Sequence, residues 1–335
     1  MRVEHFEWLR AHSVKYNLAG SGMAPIDVGE LATLGGPGDL VGTLAELYGV
    51  DKPNILVTHG AQEGNFAALS ALRVMGLAEY VVVPIPEYEP IRRLPAFLGL
   101  RSVEVSLGEL PYSVRKGAVL FFSNPNNPTG RFMGKAMLRE LSEELVKKGA
   151  YAVVDSIFME FVEEDLRNLP LDNIAYTFST SKFYTTRGFK VGWAIGDSKL
   201  VKAMGGVLDL VSPVIMDLEA GYASILLRNR GWVRERNLRI IRPNLEYARA
   251  TLGRLGNVVE VEYREYMPIT YVKLRCMGQA GSTVANELAK RGVLVTPGHL
   301  FGKDDGIRVS LGTLTGEEFK KAIGITAETI EELCT

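Results

Sequence analysis

Cysteine, histidine and tryptophan are scarce in this chain of 335 residues, which holds two, four and three of them. The two cysteines, Cys276 and Cys334, are too few for a disulfide framework, and no Cys or His cluster has the spacing of a metal site. The formal net charge is −1, so the chain lacks the basic field that attracts nucleic acid or an anionic membrane. These shortages argue against a disulfide-stapled scaffold, a metal-centred domain and a nucleic-acid-binding protein.

Long apolar runs are also missing. No stretch of 18 residues is both apolar and free of charge, so we expect no membrane span. The first residues, MRVEHFEWLRAHSVKY, are polar and amphipathic and lack the apolar run of a signal peptide. Together with the few cysteines, this favours a cytoplasmic protein. The length predicts a large domain with a smaller partner.

What the chain does contain is an alternation of short apolar runs and helical periods. Strands are predicted at 55–58, 80–83, 118–122, 151–154, 174–178 and 191–195, and helices at 1–16, 38–48, 61–75, 90–98 and 135–147. Apolar strands between helices are typical of a mostly parallel sheet that is buried on both faces, which makes the fold class α/β. After residue 233 a basic helix and shorter strands indicate an α+β unit. We therefore expect a large domain at 34–232 and a small domain formed by 1–33 and 233–335.

Polar residues follow several of these predicted strands. Open α/β sheets bind ligands beyond the carboxyl ends of their strands. Reading only those ends gives a short set of candidate positions, which are the segments 60–62, 86–88, 124–130 and 179–182 and the residue Asp155. No Ser/His/Asp triad, Walker-type loop or dinucleotide fingerprint is evident.

Five motifs occur in a characteristic order. They are SNPNNPTG at 123–130, the strand end at Asp155, STSK at 179–182 with GFKVGW at 188–193, PGHLFG at 297–302 and IRVSLG at 307–312. From about residue 15 onward the chain resembles the class I/II aminotransferases of the aspartate aminotransferase superfamily. The resemblance implies fold type I of the enzymes that use pyridoxal 5'-phosphate (PLP). It also implies a homodimer.

The resemblance assigns roles around the cofactor ring. Lys182 matches the lysine that holds PLP as a Schiff base and moves a proton during turnover, for which its amine must be neutral. Asp155 matches the carboxylate that pairs with the pyridine nitrogen and keeps the ring electron-withdrawing. Asn127 matches the amide that donates to the O3' oxygen, and Tyr88 matches the aromatic residue that stacks on the ring.

The resemblance also assigns a phosphate site and a substrate site. Ala61 and Gln62 open a helix, whose free N–H groups suit an anion. Ser179, and less directly Ser181, match phosphate-binding hydroxyls, and Lys190 stands where the family usually carries arginine. Arg308 is expected to bind the substrate α-carboxylate with its planar fork of donors. A second substrate carboxylate would need a further cation, for which Arg187 and His299 are candidates by position.

Three positions depart from the family pattern. Phe158 replaces a tyrosine that donates to O3', Lys190 replaces an arginine, and Leu34 replaces a tyrosine that reaches across the dimer. Tyr184 could supply the missing phenol. The expected function is transamination between an α-amino acid and a 2-oxo acid through the Lys182 Schiff base. A PLP-dependent decarboxylase or β/γ-lyase, or a non-catalytic sensing module of the same fold, remain as alternatives.

Overall fold

A computed structural model describes residues 3–186, 189–276, 278 and 280–334. In chain order its strands are β1 (Tyr16–Asn17), β2 (Ile55–Thr58), β3 (Tyr80–Ile85), β4 (Arg101–Ser106), β5 (Ala118–Ser123), β6 (Tyr151–Asp155), β7 (Ile174–Ser179), β8 (Gly192–Gly196), β9 (Val259–Val261), β10 (Ile269–Leu274), β11 (Val293–Leu294), β12 (Thr296–Pro297) and β13 (Gly306–Ser310). Its α-helices are α1 (Glu4–Ala11), α2 (Val28–Ala32), α3 (Leu40–Tyr48), α4 (Ala61–Val74), α5 (Glu89–Phe97), α6 (Lys135–Lys148), α7 (Met159–Val162), α8 (Ser198–Leu208), α9 (Asp217–Arg228), α10 (Arg230–Leu252), α11 (Gly281–Lys290) and α12 (Gly316–Cys334).

The larger sheet has the strand order β2-β8-β7-β6-β5-β3-β4. Its pairs are parallel except those of β8, which runs antiparallel to both β2 and β7. Every residue of β5 and β7 is buried, which explains why both strands are almost continuously apolar. The carboxyl ends of β3, β5, β6 and β7 therefore meet at one edge of the sheet.

Each face of this sheet carries its own apolar core. Along β5, Leu120 and Phe122 belong to one core, while Val119 and Phe121 belong to the other, as the alternation of side chains along a strand requires. Helix α4 packs in the second core and buries most of its length. The sheet is thus the middle layer of a three-layer α/β structure.

A second, antiparallel sheet has the order β12-β13-β10-β9 and packs with α10, α11 and α12 around a separate core. Strand β1 pairs in parallel with β11, and its Tyr16 joins this core. The α/β fold class expected from the sequence is confirmed.

The predicted large-domain strands agree with the structure to within about two residues, but other elements were not anticipated. The predicted helix at 1–16 ends at Ala11, and Tyr16–Asn17 form a strand instead. The missed strand Arg101–Ser106 lies at the sheet edge, where its side chains are mostly exposed, so it carries no apolar run. Helices α8 and α9 were also missed.

The two cysteines are joined by a disulfide, a pairing that the sequence did not predict. Cys276 follows β10 and Cys334 ends α12, and their Cα atoms lie 5.3 Å apart. They are 58 residues apart in sequence, so only the packing of α12 beside the second sheet reveals the pair. Among the helices that the structure describes, none has the length and apolar character needed to cross a membrane.

Candidate active site

The ten site residues predicted from the sequence all border one cavity of about 250 Å³. They come from the carboxyl ends of the large-sheet strands, the start of α4, the loop after β7 and strand β13. The cavity-lining set is Ala61, Gln62, Tyr88, Asn127, Asp155, Ser179, Ser181, Lys182, Lys190 and Arg308. Residues spread over some 250 positions of the chain therefore converge on a single site.

Lys182 lies in this cavity and forms no close ion pair among the described residues, although the carboxylate of Asp155 is near enough to favour its charged form. Burial, with the nearby Arg308 guanidinium as the next cause, lowers the pKa of Lys182 to about 8. A lysine of this kind is neutral in a useful fraction of molecules near neutral pH, as a nucleophilic amine must be.

Asp155 ends β6 and is almost completely buried. Its Oδ2 atom accepts a hydrogen bond of 2.8 Å from Asn65 Nδ2, and its Oδ1 atom accepts one from Ile157 N. Asn65 is itself oriented by Thr177, whose hydroxyl donates to Asn65 Oδ1 at 2.6 Å. Burial raises the pKa of Asp155, so the carboxylate favours a cationic or protonated partner in the cavity.

Arg308 is a buried cation whose hydrogen-bond partners are all neutral. Its Nη1 atom donates to Asn127 Oδ1 at 2.8 Å, and Nη2 donates to Ala19 O and Thr296 Oγ1. Its Nε atom has no hydrogen-bond partner, and no carboxylate of the described chain pairs with this guanidinium. Burial lowers the pKa of Arg308 to about 10. An unpaired buried cation of this kind is suited to an anionic ligand.

One end of the cavity has the character of an anion site. Gly60, at φ +109°, precedes α4. Because Gly60, Ala61 and Gln62 line the cavity, the N-terminus of this helix borders it. A Cβ atom on Gly192 would lie 2.4 Å from the Gly60 backbone, so glycine is required at this crossing. Ser179 and Ser181 lie beside it with their hydroxyl oxygens 3.0 Å apart. Lys190 is exposed, and its side chain runs alongside Gly60.

The loop after β5 places Asn127 between Arg308 and the sheet. The Asn127 backbone N–H donates to Ser123 Oγ at 2.9 Å, and that hydroxyl donates to Glu87 at 2.6 Å. Burial raises the pKa of Glu87 to about 8, against the hydrogen bonds it receives. Tyr88, the next residue, lines the cavity at the start of α5.

The residues that depart from the family pattern lie in different places relative to the cavity. Phe158 lines the cavity, whereas Tyr184 lies outside it and donates its hydroxyl to the buried Glu160. Tyr184 therefore does not supply the missing phenol. Leu34 packs against the large core, away from the cavity.

Of the two candidates for a second substrate cation, the structure describes only His299. His299 lies 3.9 Å from Asp304 and is not part of the cavity wall. Arg187 lies outside the described residues.

Sequence reasoning missed one wall of the cavity. His5, Phe6 and Leu9 of α1 border the same space as Lys182 and Arg308. Their amphipathic spacing indicated a helix, but nothing in the sequence indicated where that helix packs. Asn65 was missed for a similar reason, because its contact with Asp155 spans 90 residues.

These features fit PLP. The partly neutral lysine suits the cofactor's aldehyde, and the buried carboxylate suits its ring nitrogen. The helix N-terminus beside the close approach of Gly60 and Gly192 suits the phosphate, and the arginine without an anionic partner suits a substrate carboxylate. The cavity wall carries three cationic side chains, Lys182, Lys190 and Arg308, against one carboxylate, so its charge also favours anionic ligands.

Comparison with known proteins agrees with this geometry. Residues 28–325 match the model of the family described as aminotransferase class I and II. Histidinol-phosphate aminotransferase 2 of Carboxydothermus hydrogenoformans is 28% identical over 308 residues, 83% of this chain and 78% of the relative. Aspartate aminotransferase of Pyrococcus horikoshii is 23% identical, over 80% of this chain and 74% of the relative.

A PLP-dependent aminotransferase from Streptococcus suis has a solved structure that superposes with a TM-score of 0.86 at 23% identity, covering 99% of this chain and 98% of that one. The family match, covering most of the chain, and the shared fold lead to one conclusion: this chain belongs to the class I and II aminotransferases and is a PLP-dependent enzyme.

Proposed function

We propose that the enzyme moves an amino group between an α-amino acid and a 2-oxo acid, with Lys182 as its catalytic residue. The observation that carries the proposal is the pair Lys182 and Arg308, which face one cavity and form no close ion pair with a carboxylate of the described residues. The Lys182 amine suits a carbonyl, and the Arg308 guanidinium suits a carboxylate. Transamination brings both functional groups into one site.

The remaining wall residues would hold the cofactor. When bound, PLP supplies an aldehyde carbon that condenses with amines and a ring that withdraws electrons. Asp155, fixed by Asn65, would face the ring nitrogen, and Tyr88 would stack on the ring. Asn127 Nδ2 has no hydrogen bond to any described residue and would donate to O3'.

The phosphate would lie at the start of α4. There it would accept hydrogen bonds from the N–H groups of Ala61 and Gln62 and from the hydroxyls of Ser179 and Ser181. It would also be attracted by the positive charge of Lys190. Lysine offers a point charge in place of the planar donors of an arginine. The contact between Lys190 and the phosphate would therefore be less directional than the arginine contact usual in the family.

Lys182 would carry the proton. With a pKa of about 8, about a tenth of its amines are neutral at pH 7, which lets the group accept a proton from the substrate Cα. Arg308 would hold the α-carboxylate and so fix the Cα–H bond relative to Lys182. Its contacts to Asn127, Ala19 and Thr296 keep the guanidinium in place before the substrate arrives.

The test is a half-reaction. An amino acid added alone to the PLP-loaded enzyme should convert the cofactor to pyridoxamine phosphate, identified by the mass of the released cofactor. A 2-oxo acid should then restore the starting form. Release of CO₂, or of ammonia with a 2-oxo acid and unchanged cofactor, would instead support the decarboxylase or lyase alternative. No change with any amino acid would support the non-catalytic alternative.

We also propose a division into a large domain at 34–232 and a small domain formed by 1–33 and 233–335. The separate core around the second sheet supports it, because β1 and the segments from α10 onward supply that core. The cavity lies between the two units, since Arg308 comes from the small one and Lys182 from the large one.

We propose a homodimer that works in the cytoplasm, where amino and 2-oxo acids are metabolised. An exposed apolar segment supports the dimer: Leu210, Val211, Val214, Met216 and Leu218 are each 60% to 89% exposed in the single chain. The segment is tied to the cofactor end of the cavity, because Ser212 contacts His59, the neighbour of Gly60, at 3.0 Å.

A further inference from the structure

Helix α1 forms one wall of the active-site cavity. His5, Phe6 and Leu9 line the cavity, and their spacing places them on one side of the helix. The cofactor residues come from the other elements around the cavity, so this wall is left for the part of the substrate that differs between amino acids.

The position of α1 is fixed from two sides. Glu89, a buried residue of α5, accepts hydrogen bonds from Glu4 N at 3.1 Å and His5 N at 2.7 Å. On the other side, Trp8 Nε1 donates to Val295 O at 2.8 Å. One anchor belongs to the large-sheet unit and the other to the small-sheet unit, so α1 bridges the two over the cavity.

His5 is the polar residue among the three α1 residues that line the cavity. The side chain is 4% exposed, and its Nδ1 atom has no hydrogen-bond partner in the described chain. The ring meets Tyr88 and Phe301 edge-on, with centroids 5.3 and 5.9 Å apart. Burial, then Arg308, then Lys182 lower the pKa of His5 to about 3, so the imidazole is neutral at physiological pH. The wall is therefore aromatic and aliphatic, and the neutral imidazole of His5 is its polar group.

Each positively charged side chain of the cavity wall already has a proposed role in binding the cofactor or the substrate α-carboxylate. Among its described lining residues, the Lys and Arg side chains are Lys182, Lys190 and Arg308, which serve the cofactor aldehyde, the phosphate and the substrate α-carboxylate. A second carboxylate or a phosphate on the substrate would lie against α1 without a Lys or Arg side chain among the described residues of that wall. Burying an unpaired anion is strongly unfavourable.

We propose that α1 forms the side-chain subsite and that the amino-acid substrate carries an uncharged, aromatic side chain whose polar atom hydrogen-bonds to His5. This rests on the proposed function, since it concerns the side chain of the same amino donor. Such a substrate differs from the anionic compounds in the names of the two relatives, aspartate and histidinol phosphate.

Unreactive carboxylic acids test the subsite without turnover. Calorimetry on the PLP-loaded enzyme would compare 3-(4-hydroxyphenyl)propanoate, 3-phenylpropanoate and succinate. We expect the hydroxyphenyl acid to bind best, and both aromatic acids to bind at least tenfold more tightly than succinate. Succinate binding as tightly as the aromatic acids would overturn the proposal, because it would reveal a cation that serves the distal carboxylate.

Two variants and a control locate the effect on α1. His5→Phe keeps the edge-on ring contacts but removes the polar atom, so the preference for the hydroxyphenyl over the phenyl acid should fall about fivefold or more. Leu9→Arg adds a cation to the wall and should improve succinate binding about tenfold. Arg10→Ala, at an exposed position of α1, should change neither preference. An unchanged hydroxyphenyl preference in His5→Phe would overturn the role of His5.

Steady-state kinetics distinguish this proposal from the proposed function. Tyrosine and phenylalanine should exceed aspartate and glutamate in kcat/KM as amino donors. If aspartate or glutamate is the better donor, the aminotransferase assignment stands and the subsite proposal fails. If no amino acid reacts, the function fails, while the binding comparison still tests the subsite.

Discussion

At the scale of single residues, buried groups without partners carry most of the functional information. Arg308 and His5 each have a buried nitrogen without a hydrogen-bond partner among the described residues. Most buried polar groups in folded proteins are satisfied, so such exceptions require an explanation, and for these two cavity-lining residues we propose a ligand. The motifs predicted Arg308 from the sequence. His5 could not be predicted, because its environment is created by Tyr88 and Phe301, far along the chain.

Arg308→Lys tests the carboxylate contact. Lysine keeps the charge but loses the bidentate fork. A charged hydrogen bond contributes about 1.5–3 kcal/mol, so KM for the amino donor should rise roughly tenfold or more. The affinity for PLP, measured by equilibrium titration, should change little, because Arg308 is not part of the proposed phosphate site. Equal losses of both affinities would show that Arg308 supports the structure of the cavity instead.

Phe158→Tyr tests the clearest departure from the family pattern. A phenol donating to the O3' oxygen would stabilise the deprotonated chromophore and lower its pKa. One such bond is worth about 1.5–3 kcal/mol and one pKa unit about 1.4 kcal/mol, so the pKa should fall by about one unit or more. The absorbance of the bound cofactor, titrated against pH in both proteins, gives the answer. Coinciding curves would mean that another donor already serves O3', and Tyr184 is not available because it bonds to Glu160.

At the scale of elements, the sequence predicted best the strands whose faces are both buried. The strands β5, β6 and β7 are apolar along their length and end in polar motifs, so their position and the site at their carboxyl ends could be predicted together. The edge strand β4 and the placement of α1 could not, because they depend on which surface packs against them. The pairing of Cys276 with Cys334 depends in the same way on the docking of α12.

Glu89→Ala tests the anchoring of α1. The buried carboxylate accepts the N–H groups of Glu4 and His5, as a helix-capping residue does. Its loss should lower the free energy of unfolding by about 1–3 kcal/mol. Hydrogen exchange followed by mass spectrometry should show faster exchange in α1 and little change in the large sheet.

Glu104→Ala is the matched control, because Glu104 is an exposed acid on the neighbouring strand and pairs only with Arg92 among the described residues. It should leave the exchange of α1 unaltered. If Glu89→Ala also leaves α1 protected, Trp8 alone holds the helix and Glu89 is not its anchor.

At the scale of the whole molecule, two sheets and one cavity between them explain why the site draws on both ends of the chain. The α1 helix and Arg308 approach from one side, and the strand ends approach from the other. Sequence motifs can identify the strand-end residues and Arg308, but not the α1 wall or the distances between the members of the site. The fold brings them together only when both units are in place.

The homodimer is a prediction at this scale. Light scattering should give twice the mass of one chain, and Leu218→Lys should shift the protein toward monomer by burying a charge in an apolar contact. Val74→Lys, at a site 82% exposed at the far end of α4, is the matched control and should stay dimeric. A fully active monomer at assay concentration would contradict the prediction.

The central claim is that Lys182 carries the cofactor, and one measurement tests it directly. Borohydride reduction of the PLP-loaded enzyme fixes the link between cofactor and lysine, and peptide mass spectrometry then locates it. The account predicts one phosphopyridoxyl group per chain on Lys182 and none in a folded Lys182→Ala variant. A group on Lys190, the other lysine of the cavity wall, or on the exposed Lys199 of α8 would contradict the account.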